Sequence, residues 1–222
     1  PANRCLVLLQ RTDSHAGVSA NFSALIAQAT APYVALADQD DVWLPYKIRL
    51  QIQAITQAET EAPKPTPLLV CSDLTVVDAQ LRPLADSLWR WQRLDPRWAQ
   101  SWESLLVQNM VTGCTTLFNQ AALAVILPFP SVSGVFHDHW MATAVAFHGQ
   151  IVALPEQMVL YRQHGQNVEA AQTLTPAYLQ QKTAQIRTII QRSQAMAQQL
   201  GVPCAFWSLL WRKLRLNLGR FF

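Results

Sequence analysis

The chain has 222 residues, half of them hydrophobic and 14% charged, with 17 Lys and Arg against 14 Asp and Glu for a net charge of +3. This composition excludes a disordered chain, and so small and dispersed a charge does not argue for nucleic acid. Its length suits one sizeable core plus an appendage.

Cys5, Cys71, Cys114 and Cys204 lie far apart with no CxxC pair, which predicts reduced core thiols of a cytosolic protein rather than a zinc site or a disulfide frame. No charged-then-apolar leader opens the sequence, and no apolar stretch approaches ~18 residues, so secretion and a conventional membrane span are both disfavoured.

The first predicted strand is Cys5-Leu6-Val7-Leu8-Leu9. A polar loop with His15 as an exposed histidine follows, and Phe22, Leu25, Ile26 and Ala29 then recur at helical spacing. Next, the apolar run Tyr33-Val34-Ala35-Leu36-Ala37 ends abruptly in Asp38, Asp40 and Asp41. The pattern predicts a buried parallel strand that delivers acids to the carboxyl edge of a sheet, where open α/β sheets bind ligands. Carboxylates this close repel one another unless a cation is near. With no Cys or His beside them, the oxygens suit Mg²⁺ or Mn²⁺, with phosphate oxygens completing the shell. The alternative is an acidic loop with Asp41 as N-cap of the next helix and Pro45 in its first turn. Both hold together if Asp41 caps while Asp38 and Asp40 face the ligand.

A helix from Tyr46 to about Ala58 places Ile48, Ile52 and Ile55 on its packed face, with Lys47, Arg49 and Gln53 elsewhere. A proline-rich connector over 61–67 ends it. Leu68 to Asp73 reads as a second buried strand, with Asp73 either joining the active-site rim or, as the plainer reading, capping the turn that follows. Between Arg82 and Trp102, four tryptophans (Trp89, Trp91, Trp98, Trp102) alternate with Arg90, Arg93 and Arg97. Aromatic faces stack on sugar rings and arginines hold phosphates or hydroxyls, so this is an acceptor-binding loop or an aromatic-packed lid.

Ser104 to Gln108 suits a short helix. Gly113 then permits close backbone approach to a ligand, or marks a β-bulge, ahead of a strand over Thr115–Phe118. Asn119 caps a helix through Ile126. His137-Asp138-His139-Trp140 opens a helix that ends at His148 and Gly149, with Asp138 a cap in the plain reading. Ile151–Leu154 and Met158–Arg162 read as two short strands separated by Pro155-Glu156-Gln157, followed by a polar loop with His164. Pro176 to Leu200 is a long helix. Beyond Gly201 and Pro203, an amphipathic tail over 205–222 gathers Trp207, Leu210, Trp211, Leu214, Leu218 and Phe221 on one side, with Arg212, Lys213, Arg215 and Arg220 elsewhere. Such a helix lies in a membrane interface, or packs on its own domain or a second copy.

Four ordered segments carry a resemblance: Ala37-Asp38-Gln39-Asp40-Asp41-Val42-Trp43-Leu44-Pro45 with Lys47; Gln108-Asn109-Met110-Val111-Thr112-Gly113-Cys114; His137-Asp138-His139-Trp140; and Leu160-Tyr161-Arg162-Gln163-His164-Gly165-Gln166-Asn167. Together they resemble glycosyltransferase family 2, especially its rhamnosyltransferase-like bacterial members, from about Leu6 to Val168. The resemblance implies an α/β fold of GT-A type, with a mostly parallel central sheet flanked by helices. In that family a βαβ unit supplying most of the nucleotide-base pocket normally precedes the strand at Cys5, so the expected fold lacks this first βαβ portion. The expected division is a catalytic domain over 1–168 and a helical extension over 169–222.

The resemblance further implies inverting transfer of a sugar from a UDP- or dTDP-sugar to a hydroxyl on a glycan or lipid-linked acceptor, as in polysaccharide synthesis. Asp38, Asn21, Gly17 and Arg162 would bind the donor. Asp40 and His164 would hold Mn²⁺ or Mg²⁺, and Gly113, Trp89 and Trp91 would lie on the acceptor side. Asp138 would be the general base, with His137 standing where a Glu is frequent. No nucleic acid is expected; the location is cytoplasmic, with peripheral membrane contact through 205–222. Two rival functions remain open: a non-catalytic remnant that binds sugar or protein, and a metal-dependent phosphohydrolase.

Overall fold

The computed structural model describes residues 17–130, 134–163 and 185–220. The strand expected over 5–9, His15, His164 and residues 176–184 of the long C-terminal helix fall outside them.

The described chain begins with α1 (Gly17–Ala27), β1 (Tyr33–Ala35), β2 (Val42–Trp43) and α2 (Lys47–Glu61). It continues through β3 (Leu68–Val77), β4 (Pro83–Ala85), α3 (Leu88–Trp91), a 3-10 turn (Pro96–Gln100) and α4 (Trp102–Val107). A second 3-10 turn (Gly113–Thr115), β5 (Leu117–Asn119), α5 (Gln120–Ile126), α6 (His137–His148), β6 (Gln150–Arg162), α7 (Ile186–Gln199) and α8 (Phe206–Gly219) complete it.

The sheet has the order β1-β5-β3-β6-β2, with β4 also on β3. The expected α/β class holds, but the sheet is mixed rather than mostly parallel. Among the described residues β3 and β6 pair parallel, while β1–β5, β5–β3, β3–β4 and β2–β6 pair antiparallel. Alternation of apolar residues tells buried from exposed but not which way a neighbour runs; β4 returns on β3 through a short connection, whereas β5 and β2 pair antiparallel with strands distant in sequence.

The centre is β3, whose ten residues are buried except Thr75. The turn expected at Asp73 is absent. Asp73 stays inside the strand and accepts bonds from the Leu74 amide (2.8 Å), the Trp89 amide (3.2 Å), Gln157 Nε2 (3.2 Å) and the Ser87 hydroxyl. Likewise β6 is one strand. Its register against β3 shifts around Asp73, which absorbs Pro155 without ending the pairing.

One face of the sheet carries α6, where Trp140, Met141, Ala142, Ala144 and Val145 are all buried, as in a helix wrapped by its neighbours. Gly149 closes this helix, as expected, and its backbone is extended rather than left-handed. Its φ is −158°, and a Cβ there would stand 1.9 Å from Pro67 O, so the glycine allows close approach to the chain entering β3. As expected, Asn119 caps α5, accepting from the Ala122 amide at 3.1 Å.

On the other face, α2 buries Lys47, Gln51, Ile55 and Ala58, while Ile48 is exposed. The predicted face was therefore rotated, because two polar residues occupy it. Lys47 Nζ donates to Gln51 Oε1 (2.8 Å) and lies 4.2 Å from the Trp43 ring centroid, and Gln51 Nε2 donates to Thr115 O (2.6 Å). A buried ammonium is tolerated when hydrogen-bonded and set over an aromatic face.

The C-terminal helices pack on the domain through Ile190, Met196, Ala197 and Leu209. Ser193 donates to Leu106 O (2.6 Å), Lys213 to Gln108 Oε1 (2.6 Å), and Arg220 Nε to Gln92 O (3.1 Å). Of the tail's expected apolar side, Trp207, Trp211, Leu214 and Leu218 are exposed together and Leu210 is half-buried, while Leu209, which was not assigned to that side, is buried. Phe221 falls outside the described residues.

Candidate active site

The strand order explains where the acids go. Among the described residues β1 and β2 lie at opposite ends of the strand order, so Leu36 to Asp41 lead across from one to the other. They do so at the carboxyl ends of β1 and β6, the edge the sequence predicted. The loop is pinned there by Arg162, the last residue of β6. Its amide donates to Asp41 Oδ1 (2.9 Å), its Nε to Asp40 O (2.8 Å) and its Nη1 to Ala79 O (2.7 Å). Arg162 therefore shapes the acidic loop, with these guanidinium bonds spent on main-chain oxygens.

The capping alternative for Asp41 is not realised. The residue before α2 is Tyr46, which makes no side-chain cap, whereas Asp41 faces Arg162. Asp41 instead joins Asp38 and Cys114, whose ligand atoms all lie within 4.8 Å of one another. The expected metal pair was Asp40 and His164; the geometry gathers Asp38 and Asp41 instead, and His164 is outside the described residues. Asp40 remains close enough for its charge to act on both.

Burial raises the Asp38 carboxyl to about 6, helped by the charges of Asp41, Asp40 and Asp138 and opposed by His137. Burial also raises Asp41, while the Cys114 thiol and the Arg162 amide pull it back. Asp41 Oδ2 is buried with no hydrogen-bond partner among the described residues. Two hard carboxylates, an orphaned buried oxygen and mutual repulsion fit a divalent cation. Cys114 is the poor member of the set: burial and the two acids push its thiol well up, so it stays protonated at neutral pH.

A third carboxylate approaches through the Gly113 turn. Asp138, in the first turn of α6, accepts from the His139 amide (2.6 Å) and from the Gly113 amide (3.3 Å). Burial raises it to about 6, against the pull of these amides. It does not cap α6 in the ordinary way, since the residue before that helix is Phe136 and provides no side-chain cap. Gly113 is the hinge of the arrangement. Its amide meets Asp138, its neighbour Cys114 meets Asp38 and Asp41, and Thr115 O receives Gln51 from α2.

His137 is 8% exposed, stacks on Phe22 with ring centroids 4.0 Å apart, and has no hydrogen-bond partner for either ring nitrogen among the described residues. Burial lowers it to about 4, so it is neutral at pH 7. Of the donor residues named from the sequence, Gly17 and Asn21 are exposed on α1, the helix that supplies Phe22 to this stack. Gly17 has φ +73°, a conformation that favours glycine.

The tryptophan expectation needs correction. Trp89 is 5% exposed and donates its indole N–H to Met110 O at 3.1 Å, so it packs in the core and offers no free face to a sugar. Trp91 is half-buried against the cluster of Leu74, Val76, Leu88, Cys114 and Val159. Three residues near the acids lie in the segments quoted for the resemblance but were given no role there: Lys47, Cys114 and Tyr161, whose phenol is raised by burial and then by Cys114, Asp41, Asp38 and Asp40.

Comparison with known proteins now decides the family. The profile of glycosyl transferase family 2 matches residues 3–123, more than half of the chain. The chain belongs to glycosyl transferase family 2. It is 26% identical over 153 residues to an uncharacterized protein of Mycobacterium tuberculosis, covering 68% of this chain and 40% of that one. It is 24% identical over 157 residues to an uncharacterized glycosyltransferase of Nostoc sp., covering 68% and 45%. The chain thus spans less than half the length of these curated relatives.

Proposed function

We propose that this chain forms the acid-bearing part of an enzyme that moves a sugar from a nucleotide-diphosphate donor to a hydroxyl acceptor. The observation that carries the reading is the convergence of three carboxylates on the Gly113 turn: Asp38 and Asp41 on one side, Asp138 on the other. Family membership supports the reaction class.

Asp38 and Asp41 would hold Mn²⁺ or Mg²⁺, with Asp40 beside them. The cation supplies Lewis acidity toward a diphosphate leaving group, an effect worth several kcal/mol. Arg162 is a positioning residue that fixes the acidic loop, and His164 stays a candidate third ligand. Asp138 would take the acceptor's hydroxyl proton as that oxygen bonds to the anomeric carbon and the bond from this carbon to the diphosphate oxygen breaks. The electron pair leaves on the nucleoside diphosphate, and attack opposite that group inverts the centre. A carboxylate near 6 is ionised at neutral pH yet more basic than an ordinary one, which suits a general base. Gly17, Asn21 and Phe22 would flank the donor, and a UDP- or dTDP-sugar with a glycan or lipid-linked acceptor fits the family resemblance.

Calorimetry of the chain with UDP or dTDP, with and without Mn²⁺, tests the reading. Metal-dependent nucleotide heat that Asp41→Asn removes supports it. Absence of such heat favours the alternative reading, a non-catalytic remnant that binds sugar or protein.

A further inference from the structure

The C-terminal helix α8 has two faces with different fates. Leu209, Lys213 and Arg220 turn inward and are at most 7% exposed, with Lys213 bonded to Gln108 and Arg220 to Gln92. This inner face fixes the helix on the domain. Opposite it, Trp207 (75% exposed), Trp211 (71%), Leu214 (45%) and Leu218 (61%) recur at i, i+4, i+7 and i+11, forming one narrow apolar stripe. The two tryptophans are the most exposed large hydrophobic residues among those described. Neither contributes to the hydrophobic clusters of the core, although Trp207 meets the Phe206 ring edge-on at 5.4 Å.

Charge selects what covers this stripe. All 14 acidic residues of the chain precede residue 170, while the last 53 residues carry seven Lys and Arg and no acid. On α8, Arg215 is exposed beside the stripe and Arg212 is half-buried one turn of the wheel further round. A second copy docking through the same face would oppose one acid-free cationic helix to another, which is unfavourable for an isologous contact. An anionic bilayer reverses the sign. Indole rings partition to the headgroup level, leucines enter the acyl boundary, and arginines at the rim meet lipid phosphates. No described helix is long and apolar enough to cross a membrane, so the arrangement lies on the surface.

We infer that the Trp207–Trp211–Leu214–Leu218 face of α8 docks this chain on an anionic lipid surface. Lys213 reaches Gln108, and Asn109 to Gly113 lead from there to Asp138, so docking would hold the candidate active site near the bilayer. Only that last consequence rests on the sugar-transfer reading. The binding itself is measured without donor or acceptor, so either can fail alone.

The experiment is co-sedimentation of the whole chain with vesicles of phosphatidylcholine alone and with phosphatidylglycerol added. The wild type is expected to pellet with the anionic vesicles and to be released by salt. Trp207→Ser/Trp211→Ser should weaken binding at least about tenfold, and Arg212→Gln/Arg215→Gln about fivefold per arginine. The tryptophan pair should leave the circular dichroism spectrum and Tm unchanged, because both side chains lie outside the packed face; Arg215→Gln alone, at an exposed position, should do the same and still weaken binding about fivefold. Three results overturn the inference: no pelleting with phosphatidylglycerol, equal pelleting of the tryptophan variant, or vesicle-independent self-association that the tryptophan variant abolishes.

Discussion

The imidazole of His137 lies against the α-carbon of Gly113, so close that a Cβ built on the glycine would stand 2.6 Å from Nε2. The same Cβ would be 3.6 Å from Asp138 Cβ, an ordinary contact, so the histidine alone excludes a side chain. It has little room to retreat, because its ring is stacked on Phe22 at 4.0 Å.

Gly113→Ala should therefore push His137 off Phe22 and loosen the amide contact to Asp138. Overpacking of this kind costs about 1–3 kcal/mol, read as a lower urea midpoint. His137→Ala in the same background removes the obstacle and should recover most of that loss. Two additive losses in the double variant would show that the histidine is not the obstacle.

For the acid cluster the expected signs depend on metal. Without a divalent cation, Asp38→Asn removes a raised carboxyl and its repulsion with Asp41, and the variant should melt at or above the wild-type temperature. With excess Mn²⁺ the order reverses, because only the wild type gains stability by mass action, about 2.7 kcal/mol at a hundredfold excess over Kd. Melting curves with and without Mn²⁺ check both; the same Mn²⁺ shift in wild type and variant would remove Asp38 from the metal site.

How far the sequence spoke for itself differs between the acids and their supports. The run Tyr33 to Asp41 located the carboxyl edge, since an apolar stretch cut off by carboxylates suits the end of a strand, but not the strand's setting: a buried parallel strand was expected, and β1 is half-buried and pairs antiparallel with β5. Arg162, His137 and Asp138 were flagged by resemblance. What could not be read was partnership across distance. Nothing local tells that Asp41 accepts from residue 162, or that Cys114 approaches two acids. Lys47 looked like a surface lysine because its burial is decided by Trp43 and Gln51 together. Trp89 looked like a sugar platform because composition cannot distinguish an exposed indole from one bonded to Met110 O. The sheet's mixed character was hidden for a similar reason: strand direction is set by connections, not by the residues of a strand.

Lys47 offers a test of the support behind the turn. Its bond to Gln51, and that of Gln51 to Thr115 O, tie α2 to the segment carrying Gly113 and Cys114. Lys47→Ala should cost about 2–4 kcal/mol, from the void and from an unpaired amide oxygen on Gln51. Lys47→Met keeps the packing and should cost less. Burial lowers the Lys47 ammonium to about 8, so the folded state binds fewer protons than the unfolded chain and its stability rises between about pH 8 and the ordinary lysine value. That rise should be missing from urea titrations of the methionine variant.

Asp138 should show opposite pH trends in stability and in turnover. Its carboxyl is raised to about 6 from an ordinary 3.8, so the fold favours the neutral form. This stabilisation is complete below the ordinary value and lost as pH rises through about 6. Asp138→Asn should abolish that loss and gain about 1 kcal/mol at pH 7, discounted from the full shift because the group is half-buried. Catalysis runs the other way, since a base must be ionised: the rate of sugar transfer should climb over the same window and fall by about 10²–10⁴ in the asparagine variant. A variant that is stabilised but still transfers sugar at the wild-type rate would leave Asp138 a structural acid and move the search for the base to its neighbours.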